Sequence, residues 1–422
     1  MRAMDYISST DICYLICDTL SLIDKRPIEH GMRVAYMMMK LLECKGGYDE
    51  YEAAEFVFLT MLHDIGAYKT ERMLDERMYD AKGSNPAHAV YGALFLKNVS
   101  PFGERADILL YHHLPFSKIN QLNYEHSKIA GYLSLLEDVD ALYCKDGENL
   151  DLRTFEKGAG DKYSTEAVML LLRCARKDGM LRSIKSGEYK AELRKFMEYI
   201  LFTNEEKENY IRFIVQCLGL KEKILTVKTI MCCSAANEIA EDLGLTNREK
   251  EKLDYSTMLH DIGLLGAEAE VLQAVKEFTD SEKKDTDRHV ETGISLLKEY
   301  FTVPEIVETV SAHHERSDGS GYPQGLRDGN MTISQKILQV VDLLIVLMNR
   351  RKNGQGLSKD EVMNKLLRMA DRKQLDAKVV ASVMRRYDMI ERKVRSETKD
   401  YLEMHVRIHN RYKRLTEDNL GE

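Results

Sequence analysis

Thr60-Met61-Leu62-His63-Asp64-Ile65-Gly66 returns letter for letter as Thr257-Met258-Leu259-His260-Asp261-Ile262-Gly263. Ahead of the first copy, Ala53, Phe56, Leu59 and Leu62 recur at helical spacing, so the stretch reads as a buried helix. Gly66 closes that helix. The second copy is led in by Thr246-Asn247-Arg248-Glu249, a hydroxyl cap with Glu three residues on, which opens a helix as a capping box. Each copy therefore carries an adjacent imidazole and carboxylate to a helix end, from which they can reach different cations within one turn.

Outward from the two copies the agreement continues. His88 has Gly92 four residues later, and His289 has Gly293. His88 precedes the pair His112-His113 by 112 − 88 = 24 residues, and His289 precedes His313-His314 by 313 − 289 = 24. The helix that ends in Val340-Val341-Asp342 corresponds to the one carrying Glu137 and Asp138. With 260 − 63 = 197 residues between copies, this is a duplicated domain and not a short solenoid repeat.

Of twelve histidines, His30, His63, His88, His112 and His113 fall in the first array and His260, His289, His313 and His314 in the second. Imidazole and carboxylate together suit Mn, Fe and Zn. A pair of such ions activates water and stabilises the oxygens of a phosphodiester displacement. A lone His or an isolated His-Asp is a weak signal; the duplicated spacing is what points to an ancestral metal site. His405 and His409 are four apart on a C-terminal amphipathic helix with no acid to complete a site, and are expected on a solvated face.

Bulk properties narrow the class. The 422 residues suggest two or three domains. A net charge of −8 disfavours a nucleic-acid polymer or an anionic membrane as partner. Eight cysteines lack CxxC spacing, and the longest apolar run, around Val340 to Met348, is too short to span a bilayer; a reduced, cytoplasmic protein is expected. Six prolines, none between Pro115 and Pro304, predict long helices and little strand. Helices before Pro27 are expected to end near it, with His30 opening the next. The fold class is thus all-α, two tandem helical bundles joined by a helical connector: residues 1–145, a connector over 146–221, a second bundle over 222–352, and a C-terminal helical segment over 353–422.

These residues resemble the HD superfamily of metal-dependent phosphohydrolases. The resemblance is sharper in the second half, where His313-His314-Glu315-Arg316-Ser317-Asp318-Gly319-Ser320-Gly321-Tyr322-Pro323 is similar to the HHExxDGxGYP signature of the HD-GYP family, bacterial phosphodiesterases acting on cyclic di-GMP and, in some members, cyclic GMP-AMP. It covers roughly residues 222–350, with a weaker HD version over 25–145. It implies catalytic and metal-ligand roles for His260 and Asp261, and ligand roles for His289, His313, His314 and Asp342. A substrate-facing loop at Arg316, Asp318, Gly321, Tyr322 and Pro323 is also implied. In the first half it implies ligands His30, His63, Asp64, His88, His112 and His113 with either Glu137 or Asp138. One or two Fe, Mn or Zn ions per site are implied, and cyclic di-GMP is the substrate the family favours most. A homodimer or signalling partner is compatible with that role.

Two positions depart from the pattern. The family's first ligand histidine falls at Lys228, and the lysine after its His-Asp-x-Gly at Leu264. The first half keeps the fuller ligand set but has Leu114-Pro115-Phe116-Ser117 where the loop would be. Two further readings follow: a nucleotide-sensing or partner-binding module without turnover, and a nucleotide phosphohydrolase that uses the first site.

Overall fold

The computed structural model describes residues 6–70, 87–122, 124–268, 272, 283–349, 351–352 and 355–417. Apart from a two-residue antiparallel pairing of Arg351–Lys352 with Gln355–Gly356, its named elements are helices, so the fold is all-α. No described helix is long and apolar enough to cross a membrane. The chain forms two compact units. One holds residues 16–209 and 406–422, the other residues 1–15 and 210–405. Most of the stretch read as a connector, residues 146–209, therefore lies within the first unit.

In the first unit the Arg26–Lys45 helix buries Val34, Ala35, Met38 and Leu41 along the stripe its sequence predicts. Pro27 lies inside its first turn rather than ending an earlier helix. A proline fits there because the amide it lacks has no intrahelical acceptor; His30 consequently sits one turn in. Gly46 and Gly47, both at positive φ, end this helix. Asp49 then caps Glu50–Met61 by accepting from the Glu52 amide, and that helix delivers His63-Asp64. The Arg26–Lys45 helix packs on Glu50–Met61 and on Ser127–Asp146, and Ala87–Val99 packs on Asp107–Tyr111 and Ala67–Thr70.

The second unit repeats these pairings. Lys223–Asp242 packs on Asn247–Leu259 and Ile333–Asn349, while Lys283–Tyr300 packs on Pro304–Ser311 and on the short 3-10 turn Ile262–Gly266. The predicted capping box at Thr246 and Glu249 is formed. Its core joins Cys232, Ala236 and Ile239 to Ile337, Val341 and Leu344, and extends to Val379 and Val383 on the long Ala377–Glu417 helix. Along that helix His405 is buried against the Tyr401 ring at 4.4 Å, unlike the solvated face expected of it, because Tyr401 and Ile408 on the same stripe are also buried. His409 is exposed.

Glycine explains why the His-Asp turns sit so close to the next helix. A Cβ on Gly66 would lie 2.0 Å from the His88 carbonyl oxygen, and on Gly263 1.9 Å from that of His289. The backbones touch there, and this contact brings His63-Asp64 beside His88, and His260-Asp261 beside His289.

Candidate metal centres and the adjoining loop

In each unit the same backbone device aims the imidazoles. His63 Nδ1 donates to the Thr60 carbonyl at 2.8 Å and His112 Nδ1 to that of Leu109 at 2.6 Å. His260 Nδ1 donates to Thr257 O at 2.7 Å and His313 Nδ1 to Val310 O at 2.6 Å. Each bond anchors Nδ1 and turns Nε2 inward.

The first unit gathers its donors in two groups. His30, His63, Asp64 and Glu137 present ligand atoms within 4.8 Å of one another, as do His88, His112 and His113. Glu137 Oε2 is 3.0 Å from His30 Nε2 and 2.9 Å from His63 Nε2. Asp64 lies between the groups, its Oδ1 3.6 Å from His63 Nε2 and 3.4 Å from His88 Nε2. The choice between the two acids falls to Glu137. Asp138 points elsewhere, to the Lys162 ammonium at 2.8 Å and the Tyr163 hydroxyl at 2.9 Å, since adjacent helical residues lie about 100° apart around the axis. Behind His30, Asp140 accepts from its Nδ1 at 2.7 Å and from the Arg33 guanidinium at 2.8 and 2.7 Å. Neither Asp140 nor Arg33 was singled out from the sequence as a supporting residue; the available signal is that Asp140 follows Glu137 by three, on one helical face.

In the second unit His289, His313 and His314 form the matching triad, and Asp261 again stands between groups, its Oδ1 3.8 Å from His289 Nε2 and 4.0 Å from His313 Nε2. The inner group differs. Lys228 Nζ is 2.7 Å from Asp261 Oδ2 and 2.7 Å from Asp342 Oδ1, and the side chain is buried. Cys232, one turn beyond Lys228, joins His260 and Asp342 within 4.8 Å, a contact sequence reading missed. Leu264, at the expected lysine position, is buried.

Electrostatics separates the roles. Burial lowers the pKa of His112, His113 and His314, and takes His289 to about 4 and His313 to about 3. These are neutral imidazoles at neutral pH, the form that ligates. Burial opposes the charge on Lys228, but Asp261 and Asp342 outweigh it and hold the ammonium protonated. Likewise burial works against His30 and His260, yet Glu137 and Asp261 respectively raise them. Among the described residues, Asp64 Oδ1, His112 Nε2, His260 Nε2 and Asp261 Oδ1 are buried without a hydrogen-bond partner. Buried imidazole nitrogens and carboxylate oxygens left without a partner are costly unless a cation takes them, so the donor set fits divalent transition ions.

The Gly-Tyr-Pro loop adjoins the second triad. The Tyr322 ring lies 4.9 Å from that of His314. A Cβ on Gly321 would fall 2.2 Å from the Arg316 amide nitrogen, so only glycine lets the loop fold back on its own start. Glu315, fully buried, accepts from the Gln324 amide at 2.6 Å and the Leu326 amide at 2.9 Å. Arg316 donates to the Glu315 carbonyl at 2.9 Å. Asp318 accepts from the Ser320 amide and hydroxyl at 2.9 and 2.6 Å, which makes it a turn former. Tyr322 joins Pro323 through a cis peptide. In the first unit Leu114-Pro115-Phe116-Ser117 follows the histidine pair, and the Phe116 ring packs on Gly131, where a Cβ would meet it at 2.9 Å.

Each helical bundle thus carries a His-Asp pair flanked by histidines from neighbouring helices. Residues 213–379 match the HD domain family. The chain is 25% identical over 393 residues to 3'3'-cGAMP-specific phosphodiesterase 1 of Vibrio cholerae, covering 88% of this chain and 90% of that one. It is 30% identical over 132 residues to a cyclic di-GMP phosphodiesterase response regulator of Xanthomonas campestris, covering 30% of this chain and 34% of the relative. A crystal structure of a cyclic GMP-AMP specific phosphodiesterase of V. cholerae shares the fold, with a TM-score of 0.55 and 14% identity over 91% of this chain and 98% of that one.

Proposed function

We propose that the protein is a metal-dependent phosphodiesterase that hydrolyses a cyclic dinucleotide, with the reaction in the second unit. The observation that carries this reading is the seating of the Gly-Tyr-Pro loop on the metal-type triad, Tyr322 against His314. His289, His313 and His314 with Asp261 would hold an ion; His260, Asp342 and Lys228 complete the buried wall beside them. A divalent ion held there would supply Lewis acidity to the phosphodiester and to an attacking water. Asp261, held ionised by His260 and Lys228, keeps a carboxylate oxygen next to the triad, and the carbonyl-anchored histidines hold their geometry without reorganising. Tyr322 offers a ring face to a base, Arg316 a guanidinium for phosphate, and Gly321 and Pro323 shape the loop that presents them, held closed by Asp318.

Between substrates, cyclic GMP-AMP stands ahead of cyclic di-GMP. The relative that matches across both halves is named for the former, whereas the cyclic di-GMP relative matches about a third of its own length. Purified chain loaded with Mn or Fe is incubated with each compound and the linear dinucleotide measured. Turnover is expected, faster on cyclic GMP-AMP, removed by chelator and by His289→Ala with His313→Ala. Binding without linear product under any metal would instead make the unit a nucleotide sensor. A second reading rests on the fuller donor set of the first unit: phosphate-ester hydrolysis there. Loss of activity in His63→Ala/Asp64→Ala, with the His289/His313 variant unaffected, would favour it.

A further inference from the structure

The two inner groups share a plan but differ in their residues: Asp342 stands where the first unit has Glu137, and Lys228 where it has His30. In the first unit an imidazole, His30, reaches across from the Arg26–Lys45 helix to the acid on Ser127–Asp146. In the second, the equivalent helix sends Lys228 across to Asp342 and Asp261. We propose that the Lys228 ammonium is a built-in cation standing in for one of two metal ions, so that this unit takes a single divalent ion, on His289, His313, His314 and Asp261. The proposal rests on the metal-dependent reading of the site.

Three observations support it. First, Nζ lies at 2.7 Å from one oxygen of each carboxylate, a bridging position between the two acids that would otherwise clasp an inner ion. Second, the charge differs. Asp64 and Glu137 bring two negative charges to the first site, with Asp140 already paired to Arg33. In the second, Asp261 and Asp342 are offset by Lys228, leaving one. A second divalent ion would have to sit against the buried ammonium, where repulsion is weakly screened. Third, the outer triad is intact in both units, so the substitution removes an inner imidazole and nothing from the outer group. One rival occupant exists. Cys232, His260 and Asp342 are all buried and within 4.8 Å, a donor set able to take a thiophilic ion.

The test counts metal on the full-length chain. Wild type and variants are loaded with Mn, or with Zn as the thiophilic probe, desalted, checked for fold by circular dichroism, and analysed for metal per chain. Replacing His289, His313 and His314 by Ala should remove one equivalent. Lys228→His, which restores an imidazole, should add one. Cys232→Ala should change neither metal. Loss of two equivalents or of none on deleting the triad overturns the proposal, as does loss of Zn in Cys232→Ala or an unchanged count in folded Lys228→His. Should Lys228→His fail to fold, the triad deletion decides alone. Hydrolysis is scored separately. One ion in this unit without linear product would defeat the phosphodiesterase reading and leave the role of Lys228 standing.

Discussion

Changing Gly263 to Ala tests whether backbone contact is what assembles the second site. The added Cβ would fall 1.9 Å from the His289 carbonyl oxygen and 2.8 Å from the Gly293 amide nitrogen. A carbon meets a carbonyl oxygen comfortably at about 3.3 Å, so the helix bearing His289 must retreat by roughly 3.3 − 1.9 = 1.4 Å. Both obstacles are backbone, and no rotamer change relieves them. Overpacking of this kind costs about 3 kcal/mol. At roughly 2–4 °C per kcal/mol for a unit of this size, the unfolding midpoint should fall by about 6–12 °C. Metal geometry tolerates only about 0.2 Å, so the same retreat uncouples Asp261 from His289 and lowers Mn occupancy. Gly266→Ala is the control, because its Cβ would meet nothing nearer than Thr292 Cγ2 at 3.9 Å; it should stay within about 0.5 kcal/mol of wild type. Calorimetry and metal analysis on both variants decide. Gly263→Ala matching Gly266→Ala in midpoint and Mn content would refute the argument.

Three further outcomes are expected. Asp140→Asn weakens the hold on His30 and Arg33, and should cost the first unit about 10–100-fold in metal affinity with its helix content unchanged; isothermal titration with Mn reads this, and an unaltered isotherm would dismiss Asp140 as support. Glu315→Gln weakens the charge-assisted bonds to the Gln324 and Leu326 amides, worth about 1.5–3 kcal/mol, so KM for the cyclic dinucleotide should rise while Mn content holds; a kcat loss at constant KM would count against a loop-holding role. Burial takes His289 to about 4 and His313 to about 3 from an ordinary 6.5. Below pH 6.5 the unfolded chain then binds protons the folded one refuses, so metal-free stability is present above that pH and lost as pH falls, by about 1.4 kcal/mol per unit for each such histidine. Urea unfolding of metal-free protein at pH 7.5, 6.5 and 5.5 measures the slope, and equal stability at 6.5 and 5.5 would contradict neutral burial.

Much of this molecule was legible before folding. The duplication, the all-α class and the grouping of nine histidines into two arrays follow from spacing, because helical periodicity and local turn chemistry are properties of neighbouring residues. The glycines of His-Asp-x-Gly and the Gly-Tyr-Pro loop were visible as letters, although the reason for Gly263 and Gly321, contact with a distant or folded-back backbone, was not. Only the tertiary structure chose Glu137 over Asp138. Neighbouring residues on one helix face different ways, and the packing of Ser127–Asp146 on Arg26–Lys45 decides which of them meets His30. The same holds for Arg33 and Asp140 behind that imidazole, for Glu315 under the loop, and for Cys232 beside His260. At Lys228 sequence could name a missing ligand but not what replaced it. A long side chain has many directions open to it, and two carboxylates carried in by separate helices determine where its charge comes to rest.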